Sequence, residues 1–63
     1  MEEYHAMLTS DDRLMFYDEK SLQAANASEA RSKAEEWAAS FREKNPGKDV
    51  VLEIRNSQGQ KVP

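Results

Sequence analysis

Apolar residues fall at Ala27, Ala30, Ala34, Trp37, Ala38 and Phe41, mostly three or four apart. That spacing is one stripe of an α-helix. Asn26 stands before the stripe as a cap, and Glu29 three residues later gives capping-box spacing, with Ser28 as the competing cap. Pro46 and Gly47 end the helix near Lys44. Arg31, Glu35, Arg42 and Glu43 fall on the opposite, solvated side. The small alanines predict close approach to a flat surface beneath, with Trp37 and Phe41 filling the wider end of that contact.

Elsewhere the pattern alternates. Strands are expected over about Glu3 to Leu8 and Arg13 to Tyr17, joined by the turn cluster Thr9-Ser10-Asp11-Asp12. A three-residue loop would set Leu8 opposite Leu14 and Ala6 opposite Phe16. A two-residue turn would instead set Met7 opposite Phe16 and exchange the faces. The first register is favoured, because Asp-Asp suits a tight primed turn poorly. Asp18 to Ser21 reads as a further turn, and Ser21 to Asn26 as a short third strand. The best strand is Asp49 to Ile54, with Val50, Leu52 and Ile54 on one face and Val51, Glu53 and Arg55 on the other. Asn56 to Gly59 is a loop, and Gln60 to Val62 a short return strand.

These faces close as a single domain over residues 1–63. The expected fold class is α+β in two layers: an antiparallel sheet of about three to five strands, order β-β-(β)-α-β-β, with one helix on one face. The predicted core is Tyr4, Ala6, Leu8, Leu14, Phe16, Leu22, Val50, Leu52 and Ile54 against Ala30, Ala34, Trp37, Ala38 and Phe41.

Composition narrows the function classes. A chain of 63 residues buries proportionally little surface, so a staple is expected. With no cysteine and one histidine, neither a disulfide nor an ordinary structural zinc site can serve. The remaining staple is a second copy or a partner chain. Net charge is −3, from 12 acidic and 9 basic residues, which gives no broad attraction to phosphate. The acidic start Met1 to Leu8 predicts no signal peptide and no membrane span, so a cytoplasmic protein is expected. The Asn26-Ala27-Ser28 glycosylation match therefore carries no weight.

No catalytic, cofactor or metal constellation emerges. His5 lacks an evident nucleophile or carboxylate partner, the acidic pairs Asp11-Asp12 and Asp18-Glu19 read as turn residues, and both glycines lie in turns. The face of the sheet away from the helix is richer in chemistry. It is expected to carry His5, Met7, Met15, Tyr17, Val51, Glu53 and Arg55, more apolar than a solvated face requires. That marks it as a surface for a homodimer or a protein partner. The alternative is nucleic-acid binding by the same face, through Tyr17 and Arg55, with the basic group Arg42, Lys44 and Lys48 at the helix end.

A first strand with Tyr4 and His5, the capped run NASEARSKAEEWA and the strand-turn DVVLEIRNSQGQKV together resemble families of very short bacterial and phage proteins. The layout is also similar to small phage-encoded inhibitors of bacterial defence complexes. The resemblance implies a non-enzymatic module that occupies a surface of a larger assembly. It carries over no functional residue.

Overall fold

A computed structural model describes residues 1–62. In chain order it contains β1 (Glu2–Thr9), β2 (Phe16–Ala24), α1 (Ala27–Lys44) and β3 (Val51–Asn56). The strands form one antiparallel sheet in the order β2-β1-β3, and α1 packs on one face, in contact with every strand. The expected two-layer α+β class holds, with three strands. Gln60 to Val62 does return along β3, but as a single bridge between Arg55 and Lys61.

The helix begins as its sequence indicates. The Asn26 side chain accepts from the Glu29 N–H at 2.9 Å. Glu29 reaches back to the Ala25 N–H at 3.2 Å, one residue before the position a standard capping box would use. At the other end the Asn45 N–H donates to the Arg42 carbonyl. Asn26→Ala should cost about 0.5–2 kcal/mol in urea unfolding. An unchanged midpoint would show that Ser28 takes over as cap.

Ala30, Ala34 and Ala38 are fully buried, as are Ala6 and Ala24 on the sheet. Small residues on both layers let the helix axis sit close above the strands. Tyr4, Leu8, Leu22, Ile54 and Val62 complete the core. Trp37 and Phe41 are only half-buried, and Ala27 is exposed. Both of these larger side chains lie toward the β2 edge, Trp37 beside Lys20 and Leu22 and Phe41 against Tyr17, where the sheet is too narrow to cover them.

The β1–β2 hairpin departs from both expected registers. β2 starts at Phe16 and runs unbroken to Ala24 through the expected turn at Asp18 to Ser21. Charged residues there reflect its position as an edge strand, where they face solvent. Tyr4 pairs with Leu22, Ala6 with Lys20 and Leu8 with Asp18. A bulge then sets Thr9 opposite Phe16. Leu14 and Phe16, assigned to the core from the pattern, are exposed at 83% and 58%. Val50 precedes β3 and is half-buried.

Candidate interaction surfaces

On the face away from α1, β1 presents His5, Met7 and Thr9. Their β3 partners are Arg55, Glu53 and Val51 respectively. Five of the seven residues assigned to this face, His5, Met7, Val51, Glu53 and Arg55, therefore lie together on it. Met15 does not: it sits in the hairpin loop before β2, 59% exposed. Tyr17 does not either. The extra residue of the bulge turns its ring toward the helix, where it stacks on Phe41 at 5.8 Å with Lys48 5.1 Å above it.

Glu53 makes the β3 half of this face polar. It is only 9% exposed, and three cations surround its carboxylate. Arg55 donates at 2.9 Å, Arg13 at 3.3 Å, and Lys61 stands 4.0 Å away. Arg55 also donates to the Gly59 carbonyl at 2.8 Å. The network closes the loop after β3 over the sheet and ties Arg13 of the hairpin to it.

The apolar surface lies instead at the hairpin end. Leu14, Met15 and Phe16 are consecutive, large and exposed. Their loop is held in place by its polar residues. The Ser10 N–H donates to the Met15 carbonyl at 2.9 Å, and the Met15 N–H donates to the Ser10 hydroxyl at 3.1 Å. That hydroxyl donates to Asp12, whose carboxylate also accepts from the Leu14 N–H at 3.0 Å. Arg13 takes a left-handed φ of 63°, and its N–H closes a turn on the Ser10 carbonyl at 2.9 Å. The Ser10 hydroxyl first, and the Leu14 N–H second, hold the Asp12 carboxyl below its ordinary pKa. At the opposite end of the sheet, burial first, and then the hydrogen bond its hydroxyl donates to the Glu2 carboxylate, push the Tyr4 phenol up.

His5 has neighbours that its sequence position did not suggest. Its Nδ1 lies 3.3 Å from the Ser21 hydroxyl and its Nε2 3.8 Å from Glu3. Acid, imidazole and hydroxyl stand in a row, but all three residues are exposed on an open face. The Glu3 contact also exceeds hydrogen-bond length. The row matches a cross-strand polar ladder better than an enclosed hydrolytic triad.

Shallow hollows border the sheet among the described residues. The first, about 430 Å³, lies between α1 and β2 and is lined by Lys20, Leu22, Lys33, Glu36, Trp37 and Ser40. The second, about 360 Å³, is polar, with Asp11, Asp12 and Asp49 beside Tyr17 and Lys48. Among the described residues no group of three or more histidine, cysteine or carboxylate side chains is arranged to hold a metal ion. None of the helical residues described forms a span long and apolar enough to cross a membrane.

Comparison with protein-family models, with curated proteins and with solved structures gave no match.

Sequence reasoning missed Leu14 and Phe16 as surface residues. The signal was present: Asp12, spaced to accept from the backbone N–H two residues ahead, with Ser10 bonded to its carboxylate, marks a structured loop that keeps Leu14 out of the strand.

Proposed function

We propose that this chain is a small non-enzymatic protein-binding module, of accessory or inhibitor type, that seats its hairpin tip in an apolar recess of a partner protein. The observation that carries this reading is the exposure of Leu14, Met15 and Phe16 on a loop that is itself fixed by hydrogen bonds. Nothing in the fold requires three large apolar side chains in water. An ordered loop presents them with little conformational entropy left to lose, which is how affinity is gained from a small surface. Met7 and Val51 continue the apolar area onto the open face beside Thr9.

The nucleic-acid alternative draws less support. Tyr17 is stacked on Phe41, and Arg55 is engaged by Glu53 and the Gly59 carbonyl, so neither is free to meet a base. Arg42, in the basic group at the helix end, donates to the Val50 carbonyl at 3.1 Å.

The test is site-specific photocrosslinking. A photoreactive side chain at position 15, compared with one at Lys44 on the helix end, should give an adduct with one protein that position 44 does not give. The purified pair should then bind in calorimetry, and Leu14→Asp with Phe16→Asp should weaken it at least tenfold while leaving circular dichroism unchanged. A complex indifferent to that double change would overturn the reading.

A further inference from the structure

The two outer edges of the sheet differ. Along β3 the chain covers its own edge: the Val62 N–H donates to the Ile54 carbonyl at 2.8 Å, the Asn56 N–H to the Gln60 carbonyl at 2.9 Å, and Lys61 bridges Arg55. Along β2 no strand of the described residues covers the outer side. From Asp18 to Ala24 that edge pairs regularly with β1, with no bulge, proline or glycine; its guards are the charges of Asp18, Glu19 and Lys20, and Lys33 over one end, which a partner strand must complement. One contact shows which backbone groups point outward. The Lys33 ammonium donates to the Gln23 carbonyl at 2.7 Å. The two-residue period then aims the amides and carbonyls of Ser21 and Glu19 outward as well.

We infer that the chain self-associates through this edge: β2 of a second copy pairs antiparallel with β2 across a two-fold axis at Ser21, and the sheet continues through both copies. Charge narrows both occupant and register, and Ser21 is the middle of the regularly paired stretch from Asp18 to Ala24. The edge and its groove mix signs, with Asp18, Glu19 and Glu36 beside Lys20 and Lys33, which suits neither a strongly acidic nor a strongly basic strand. A two-fold interface must complement itself. An axis at Glu19 would oppose two glutamates, and an axis at Lys20 two lysines. An axis at Ser21 opposes Glu19 to Gln23, Lys20 to Leu22 and Asp18 to Ala24, with no like charges paired. It also brings Asp18 of the second copy to the end of the edge where Lys33 lies.

The helix supports the same arrangement. Lys33, Glu36, Trp37 and Ser40 follow the spacing of one helical stripe and line the groove beside β2. In the dimer the two helices lie side by side and antiparallel. Each Lys33 then faces toward the Glu36–Ser40 end of the other, and the half-buried Trp37 is covered. A domain of this size lacking disulfides gains a staple by this route. The surface is separate from the hairpin tip, so the inference stands independently of the function proposed above.

Sedimentation equilibrium of the full chain from micromolar to millimolar concentration should show monomer and dimer. Hydrogen exchange at Glu19 and Ser21 should slow at least tenfold between the two ends of that range. Because the chain has no cysteine, Ser21→Cys can be oxidised alone. Paired serines across the axis would place their Cα atoms about 5.5 Å apart, within disulfide range. Crosslinking should therefore run at least tenfold faster than for Asp49→Cys. Leu14→Asp with Phe16→Asp should leave the dimer intact. A monomer at millimolar concentration overturns the inference. So does a dimer whose Glu19 and Ser21 amides stay unprotected, or one that the tip substitutions dissolve. If Ser21→Cys fails to fold, exchange in the unaltered chain decides alone.

Discussion

Ile54→Ala is expected to remove about 2–5 kcal/mol of stability, in the upper half of that range. Ile54 is one of the two largest side chains with no exposure, and it lies in the main core cluster with Ala6, Ala30 and Ala34. A truncated core side chain costs its own transfer energy plus that of the cavity left behind, and the second part depends on how far the neighbours can close in. Here they have little to close with. The residues around Ile54 include three alanines, whose methyl groups cannot swing into the void. The backbones that could move are pinned from outside. Ile54 pairs with Ala6 on the central strand, and its carbonyl holds the Val62 N–H. A chain of 63 residues has roughly 3–9 kcal/mol in total at ordinary stability per residue. The variant should therefore be largely or wholly unfolded at 37 °C. Urea unfolding followed by circular dichroism measures the loss. Ile54→Val, which keeps the branched carbon, should cost only about 0.5–1.5 kcal/mol. An Ile54→Ala protein within 1 kcal/mol of the unaltered chain would mean that the helix is not seated on the sheet as described.

The helix and β3 were legible because each announces itself locally. An alanine stripe with Asn26 ahead of it and Pro46 behind has one simple reading. Leu52-Glu53-Ile54-Arg55 alternates apolar and polar residues behind two valines. The hairpin was not legible, for a physical reason. Register between strands is set by the loop and by which side chains find a core, and Asp18, Glu19 and Lys20 resemble a turn until the strand is known to be an edge. The bulge at Leu8/Thr9 is a further step that no periodicity carries, and it alone removes Tyr17 from the open face. The candidate surface fared accordingly. Residues on β1 and β3 fell on the face assigned to them. Met15 and Tyr17, which depended on the hairpin, did not. Trp37 was placed correctly on the stripe but too deep in the core, because its burial depends on the width of the sheet, which the helix sequence does not encode.

Ala34→Phe tests the opposite limit, and it is expected to cost about 1–3 kcal/mol or more by overpacking. Ala34 is fully buried among Ala6, Ala24 and Ala30, on the line where helix and sheet approach. Space there is set by methyl groups on both layers, so a phenyl ring has no void to enter and must lift the helix or bend the strands. Hydrophobicity alone predicts the reverse sign, since phenylalanine has more apolar area to bury. The distinction lies in packing: a close-packed interior gains nothing from a group it cannot admit. Lifting α1 would also part Trp37 from Leu22 and open the groove beside β2, so the tryptophan emission should shift to longer wavelength even where the protein stays folded. Ala39→Phe, on the exposed side of the same helix, controls for propensity and should change stability by well under about 1 kcal/mol. Equal effects at positions 34 and 39 would show that the alanine stripe reflects helix propensity alone. A stabilised Ala34→Phe protein would show slack between the layers. The expected result, loss at 34 and near-neutrality at 39, makes the alanines the residues that set the spacing of the fold, and with it the shape of the edge on which a second copy would pair.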